Sequence, residues 1–541
     1  MNKIIIIISL IIIFSIIFII ISNKFLGNYK ILFNIFRTYK KNYYLLNIHQ
    51  IEKENRSKFK HKLSLGKQLP FTGAAIFKDN NIEYIYVGGG FNQNDALLLY
   101  DKSKHDYNDY IHKTNLLDLD NKTEPTYGIV SIDLNKDGKE DLIIARNNGL
   151  FLYKNKGNLQ FEKQVLLEND NKVSPFSITI GDYDKDQKAD IYVSKFIKPK
   201  YLKNFQFNND KHIAYNTMLH NISDDNEIKF EDTTKETNTK GTQNTFGSIF
   251  ADINNDKQPD LIIANDTGTI EILENQNGKF YRIDNNISGY GFFMGIGISD
   301  IDNDEDFDLF FTNVGSEVKT DKYQHKLNNN QIPNNKHILL RNDGQMKFVD
   351  ITKNKNLTKQ GFGWGGVFMP VNYDIHDDLI FAQNYVILPK VIDLGYIGNY
   401  NMKTKKYDRI MKYLNPTYGN SNIKIDLDKD GRYDIVWINT NDNIISHLNE
   451  SKKDYINIEI PNNIKYTNAI IKVYLNNGKI LSKQFISGGE GFLTDHSSTI
   501  SFGLGKKKLN KINKVTIETI YNNKLIIFNN PINNSTIKIK K

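Results

Sequence analysis

Five stretches of the sequence carry side-chain oxygens at a spacing that suits a metal ion. Each has Asp or Asn at positions 1, 3 and 5, Asp at position 9, and then at least three apolar residues. Ca²⁺ accepts six to eight oxygen ligands, and alternate residues of such a loop direct their oxygens inward. The pattern therefore predicts Ca²⁺ as the cofactor. The candidate ligands are Asp133, Asn135, Asp137 and Asp141; Asp182, Asp184, Asp186 and Asp190; Asp252, Asn254, Asp256 and Asp260; Asp300, Asp302, Asp304 and Asp308; and Asp426, Asp428, Asp430 and Asp434.

Position 12 excludes the helix-flanked type of calcium loop. That type needs a bidentate Glu there, whereas these loops have Ile144, Val193, Ile263, Phe311 and Trp437. β-Branched and aromatic residues on both sides predict that each loop joins two strands. Position 6 favours a left-handed backbone, which Gln187, Lys257 and Glu305 adopt at some cost in place of glycine. Hydrated acidic turns are the alternative for a single copy, but five copies favour structural calcium sites.

The loops belong to a longer repeat. A sixth unit, Pro370–Ala382, has Pro370 in place of the first Asp, and a seventh, Gly73–Gly90, has a shortened loop. After most loops comes a strand, an Asn/Gly turn and another strand, as in Leu152–Lys163 and Leu339–Thr352. Each unit is thus predicted to have four strands, the unit of a propeller.

Loop and hairpin together resemble the FG-GAP/VCBS repeats of integrin-alpha-type β-propellers. The C-terminal stretch Asn468–Lys506, with its SGG and FGLG motifs, resembles an ASPIC/UnbV domain, as in proteins related to cartilage acidic protein. The Trp-Pro-Ser-Gly segment usual near the end of that domain is missing, and Ile517–Leu525 occupies its place. The resemblance implies an all-β fold: a seven-bladed β-propeller with calcium-binding loops, plus a small C-terminal β domain.

The N-terminus predicts a membrane anchor. An apolar run from Ile4 to Ile21 is broken only by two serines, and no small-residue cleavage site comes after it. The expected organisation is a transmembrane helix over residues 1–23, a stalk over 24–68, the propeller over 69–448 and the C-terminal domain over 449–541. Basic residues after the run favour a cytoplasmic location for the rest of the chain. Weak calcium sites need an extracellular calcium level, however, so we expect the propeller in the periplasm or at the cell surface.

Composition and motifs exclude several classes of function. The chain has no cysteine, which excludes disulfides and thiolate chemistry, and its basic residues form no stripe that would suit nucleic acid. No nucleophile or phosphate-binding motif appears. His496 is expected on a surface turn and Trp364 between blades. The sequence predicts a non-enzymatic adhesion or ligand-binding protein whose protein or carbohydrate ligand meets the propeller face or the insertions at Ser194–Asn216 and Lys319–His337. A polysaccharide hydrolase or lyase with carboxylates in the central channel, and a scaffold for assembling a membrane complex, are the alternatives.

Overall fold

β-Strands account for nearly all regular structure in the part of the chain that the structure describes. The structure, a computed structural model, describes residues 54–120, 124–204, 213–224, 227–241, 243–283, 288–315, 333–358, 361–383, 395–415, 417–506, 511–521 and 525–540. The helical turns in these ranges are Ile111–Lys113, Leu116–Leu119 and Pro199–Asn204. The all-β prediction is confirmed for these residues.

The membrane prediction concerns residues that are not described. The expected anchor, 1–23, and the stalk up to residue 53 lie outside the described ranges. Among the residues that are described, no helix has the length and apolar character needed to span a bilayer.

The first strand, β1 (Asn55–Lys60), is far in sequence from the other strands of the sheet to which it belongs. Six sheets then each take four consecutive antiparallel strands on their main path. The first three comprise β2 (Ala74–Asp79), β3 (Ile82–Val87), β4 (Ala96–Asp101) and β5 (Asp106–Asp109); β6 (Thr126–Ile132), β7 (Asp141–Arg146), β8 (Gly149–Gly157) and β9 (Gln160–Leu167); and β10 (Val173–Gly181), β11 (Asp190–Ile197), β12 (Thr217–Asn221) and β13 (Phe230–Asp232). The next three comprise β14 (Asn244–Ala251), β15 (Asp260–Gly268), β16 (Ile270–Gln276) and β17 (Lys279–Arg282), with the short β18 (Gly291–Phe292) beside β15; β19 (Ile296–Ser299), β20 (Asp308–Phe311), β21 (Ile338–Asn342) and β22 (Phe348–Asp350); and β23 (Gly363–Met369), β24 (Asp378–Gln383), β25 (Gly395–Asn401) and β26 (Lys406–Asn415).

The seventh sheet combines strands from distant parts of the chain. It holds β27 (Gly419–Ile425), β28 (Asp434–Asn439) and β29 (Asn443–His447), and β1 supplies its fourth strand. β1 runs antiparallel to β29, with Asn55 opposite Ser446. A strand therefore lies within the segment that was predicted to be a stalk.

The first strands of successive sheets pack against one another. β2 contacts β6, β6 contacts β10, and the order continues through β14, β19, β23 and β27, which contacts β2 again. The sheets thus form a closed ring with their first strands innermost, and the fold is propeller-like. Inner strands such as β7 and β20 are buried along their whole length, whereas the outer strand β9 has exposed residues throughout, because only its inward side is covered.

The C-terminal domain contains two further sheets. Its strands are β30 (Asp454–Glu459), β31 (Ile470–Leu475), β32 (Ile480–Gln484), β33 (Thr494–Asp495), β34 (Thr499–Gly505), β35 (Ile512–Glu518), β36 (Leu525–Asn529) and β37 (Ser535–Lys538). One sheet has the order β34-β30-β37 and the other β32-β31-β35-β36, and apolar residues such as Ile456, Val473 and Val515 form the core that the two sheets share.

A glycine-rich segment of this domain, Ser487–Asp495, enters the ring, and we call it the plug. Ile180 of β10 donates its amide to the Ser487 carbonyl at 2.9 Å, and Gly491 exchanges two backbone hydrogen bonds with Ile296 of β19. Residues Thr494–Asp495 pair in parallel with β2. The plug thus bonds to the first strands of three separate sheets. The C-terminal domain is therefore joined to the centre of the propeller.

Candidate metal centres

The five complete loops lie at equivalent places, between the first and second strands of their sheets. Position 9 is the first residue of β7, β11, β15, β20 or β28. Position 6 has a left-handed backbone in every loop, with φ of 87° at Gly138, 68° at Gln187, 68° at Lys257, 76° at Glu305 and 92° at Gly431. The predicted strand-flanked loop and its left-handed turn are both confirmed.

The carboxylate at position 1 holds the turn together. Its oxygens accept the amide of position 6, for example Gln187 on Asp182 at 2.7 Å and Gly431 on Asp426 at 2.8 Å. In four loops position 1 also accepts the amide of position 5, as Asp300 does from Asp304 at 3.0 Å. The loop is thereby wrapped around its first carboxylate.

The carboxylate at position 9 is buried and joins the loop to the third strand. Asp308 accepts the amide of Ile301 at 3.0 Å and that of Asn342 in β21 at 2.9 Å. Every complete loop repeats this pair of bonds, and the donors at or near the end of the third strand are Asn155, Asn221, Asn275, Asn342 and Asn449. These asparagines were not predicted as site residues, although an Asn recurs at or near the end of the third strand in each of these units.

The asparagine side chains also connect neighbouring units. Asn275 donates to the Tyr183 carbonyl at 2.8 Å, and Asn342 donates to the Ile253 carbonyl at 3.0 Å. Tyr183 and Ile253 are position 2 of the preceding loops. These two loops are therefore fixed by their own sheet and by the next one.

Burial makes these carboxylates expensive to ionise without a counter-charge. Burial raises the pKa of Asp182 and Asp252 to about 7, that of Asp300 to about 8, and that of Asp426 to about 6. The position 9 carboxyls are raised for the same reason, to a pKa of about 7 for Asp141 and about 6 for Asp190. Neighbouring carboxylates add to the effect in each of these loops. A bound divalent cation would offset this cost.

Three carboxylates converge in each of three loops. One oxygen from each member of Asp182, Asp184 and Asp186 lies within 4.8 Å of the others, and the same holds for Asp300, Asp302 and Asp304 and for Asp426, Asp428 and Asp434. The other two complete loops have Asn135 and Asn254 at position 3 and so fewer carboxylates. All-oxygen donor sets of this kind fit Ca²⁺.

Basic side chains lie beside the ligands of several loops, as Lys102 does beside Asp428 at 3.0 Å. His220 of β12 lies with Nδ1 3.0 Å from Asp190 and 3.7 Å from Asp184. In the sixth unit, which lacks the first Asp, Lys453 Nζ is 3.2 Å from Asn372 Oδ1 and 3.9 Å from an oxygen of Asp374. An ammonium group thus accompanies the oxygens of the loop whose ligand set is incomplete.

The centre of the ring is apolar at the plug. The Phe492 ring lies 5.4 Å from Phe71, 6.0 Å from Phe176, 5.8 Å from Phe246 and 5.4 Å from Trp364, measured between ring centroids. Trp364 therefore packs at the centre of the ring rather than stacking on an exposed ligand.

The acidic residues of the plug already have bonding partners. Asp495 accepts the amides of Ser131 at 2.8 Å and Gly488 at 3.0 Å, and Glu490 pairs with Lys424 at 2.6 Å. His496 was expected on a surface turn, and this expectation is wrong: it is 7% exposed. Its position just after the plug explains the burial.

A polar cleft of about 720 Å³ lies between the C-terminal domain and the first two sheets. It forms where the first sheet has the two-residue turn Asn80–Asn81 in place of an eight-residue connection between its first two strands. Its lining mixes amides, carboxylates and ammonium groups, including Lys139, Glu140, Asn462 and Lys538. Such a surface suits a ligand with many hydrogen-bonding groups.

Comparison with known proteins agrees with the repeat architecture. The FG-GAP-like repeat family model matches residues 133–193 and 216–311, which include four of the five complete loops. Comparison with curated proteins gives no match.

Several solved structures are similar to this chain. An Agrocybe aegerita lectin, described as recognising non-reducing terminal N-acetylglucosamine, is 15% identical with a TM-score of 0.39, covering 67% of this chain and 87% of the lectin. A protein from Lactobacillus plantarum is 10% identical (TM-score 0.38; 66% of this chain and 88% of that one), and the Dos1 propeller is 8% identical (TM-score 0.39; 73% and 95%). The chain is a propeller-like protein that carries FG-GAP-like repeats.

Proposed function

We propose that this chain is a seven-bladed, calcium-stapled propeller that binds a ligand outside the cytoplasm, in adhesion or recognition. Five loops that wrap buried carboxylates at the same point of successive sheets are the observation that supports it. Each loop would hold Ca²⁺ through its side chains at positions 1, 3, 5 and 9. The ion supplies the positive charge that these carboxylates need, and its role is structural.

Both ends of the chain have a place in this architecture. We place an anchoring helix at residues 1–23 and an ASPIC/UnbV-like domain at 449–541, with the propeller in the periplasm or at the cell surface. Calcium sites with three or four carboxylates and no position 12 Glu suit the millimolar calcium found there.

A binding function is favoured over a hydrolase or lyase that works in the central channel. Phe492 and its aromatic neighbours occupy the centre of the ring, and Asp495 and Glu490 are engaged in bonds to the protein itself. The loop carboxylates lie at the turns between first and second strands.

Calcium binding is tested by thermal unfolding of the full chain in detergent, with Ca²⁺ and with Mg²⁺ as control. We expect millimolar Ca²⁺ to raise the melting temperature by several degrees, since a ligand that binds only the folded state stabilises it by mass action. Asp186→Ala, which removes position 5 of one loop, is expected to reduce the increment. An equal response to Mg²⁺, or none to Ca²⁺, would contradict the proposal.

The polar cleft is where we expect the ligand, and its hydrogen-bonding lining favours a saccharide. Lys139 lines the cleft at position 7 of its loop, and Lys188 holds position 7 of the next loop outside the cleft. We expect Lys139→Trp to fill the cleft and reduce glycan-array binding at least tenfold, the effect of about 1.4 kcal/mol. Lys188→Trp is the matched control and should bind normally. Equal binding by both variants would place the ligand elsewhere.

A further inference from the structure

The face that carries the loops is also the face on which the C-terminal domain sits. Tyr521 donates its hydroxyl to Asp182 Oδ2 at 2.6 Å, so a side chain of that domain bonds to the first ligand of a loop. Asn457 donates to the Gly431 carbonyl at 2.9 Å, at position 6 of another loop.

Two of the ion pairs that connect this face to the domain involve position 6 of a loop. Lys257, at position 6 of its loop, pairs with Glu518 at 2.7 Å, and Glu305, at position 6 of the next loop, pairs with Lys472. Both loop residues have a left-handed backbone that the position 1 carboxylate fixes through their amides. The conformation of the loop thus determines where the charged side chain at position 6 lies.

The remaining loops touch the domain through their backbone or through flanking residues. The amide of Asp133 donates to the Asn462 carbonyl at 2.9 Å, and Asn462 donates in turn to the Ser131 carbonyl at 2.8 Å. In the sixth unit, Asp377 pairs with Lys483 at 2.7 Å. All six units that have a loop of this type therefore contact the domain, and the first unit, which has only a short turn, contacts it through the ion pair of Lys78 and Glu459 beside the polar cleft.

We propose that the C-terminal domain is held on the propeller by the cation loops, so that withdrawing Ca²⁺ releases the domain and draws the plug from the ring. This inference rests on the proposed calcium binding. Without the ion, the three or four carboxylates of a loop repel one another within a few ångströms. The loop then relaxes, and the position 1 and position 6 contacts to the domain are lost together.

Release of the plug changes which side chains are exposed at the centre of the ring. The rings of Phe71, Phe176, Phe246 and Trp364 now pack on Phe492 and are buried. With the plug withdrawn they form an apolar cavity wall. The C-terminal domain therefore closes that cavity only while the cation is bound.

Hydrogen exchange of the full chain in detergent tests the release directly. The reporters are the plug amides of Gly491 and Phe492, which bond to Ile296 and Ser421 of the ring. We expect these amides to exchange at least tenfold faster when Ca²⁺ is removed with a chelator, at a temperature where β7 and β11 remain protected. Equal protection of the plug with and without Ca²⁺ would overturn the proposal.

Thermodynamic reciprocity gives a second test that leaves the metal ligands in place. If Ca²⁺ favours docking, weakening the docking contacts must weaken Ca²⁺ binding by the same factor. We expect Lys472→Ala/Glu518→Ala/Tyr521→Phe to lower calcium affinity, measured by calorimetry, by about fivefold or more. Lys511→Ala/Tyr474→Phe, with similar changes on residues for which the structure gives no contact to a loop, is the matched control and should bind as the parent does.

The outcomes separate this inference from the proposed function. One outcome is that calcium binds and raises the melting temperature while hydrogen exchange in the plug and the calcium affinity of the triple variant stay unchanged. That result would contradict cation-dependent docking of the domain and would still support the proposed calcium sites. No calcium binding by calorimetry would overturn both.

Discussion

Replacing Gly489 by alanine is expected to lower the free energy of unfolding by about 2–5 kcal/mol, the combined cost of a left-handed alanine and an overpacked site. A Cβ at this position would lie 1.9 Å from the Ser248 carbonyl oxygen, which is backbone of β14. No side chain there can move aside, so either the plug or the sheet must shift. Urea unfolding in saturating Ca²⁺ measures the change.

Gly478 provides a control with the same backbone conformation. Both glycines have φ of +84°, but a Cβ at Gly478 would meet nothing within 4 Å. Gly478→Ala should therefore show only the conformational cost, about 1–2 kcal/mol. If both variants lose the same stability, the plug does not fit the ring as closely as the structure indicates. If Gly489→Ala instead speeds hydrogen exchange only in the plug, the strain is relieved by local release.

The sequence predicted the repeated part of the molecule well because its signals are local. Turn chemistry, strand composition and the position 9 aspartate lie within about twelve residues of one another, and five copies reinforce them. The left-handed backbone at Gln187, Lys257 and Glu305 could be inferred from alignment of the loops with one another. Burial of the ligands could then be inferred from the apolar strand that comes directly after them.

The parts that the sequence did not predict depend on distant contacts. β1 reads NRSKFK, which has no apolar run, and it becomes a strand because the outer edge of β29 is available to it. Gly489 permits a close approach to its backbone, and the group that approaches it is the Ser248 carbonyl of a distant strand. His496 is buried for the same reason, since the plug brings it into the ring.

The second large effect is expected at Asp308, which accepts buried amides and is also a predicted calcium ligand. Comparing Asp308→Ala with Asp302→Ala in the same loop separates these two roles. Asp308 is fully buried and accepts the amides of Ile301 and Asn342. Asp308→Ala leaves two buried amides without their acceptor, at about 1–3 kcal/mol each. We therefore expect a loss of about 2–5 kcal/mol even in Ca²⁺-free protein, measured by urea unfolding in a chelator.

Asp302→Ala in the same loop should weaken Ca²⁺ binding without lowering the stability of the Ca²⁺-free protein. Asp302 is exposed, and its carboxylate lies in the cluster with Asp300 and Asp304. Removing it relieves repulsion, so the Ca²⁺-free protein should be unchanged within about 0.5 kcal/mol, as for surface substitutions. Calorimetry should then count one Ca²⁺ fewer, or one bound much more weakly. An unchanged calcium count would show that this loop does not ligate the ion, and its buried Asp308 would then serve only to tie β19, β20 and β21 together.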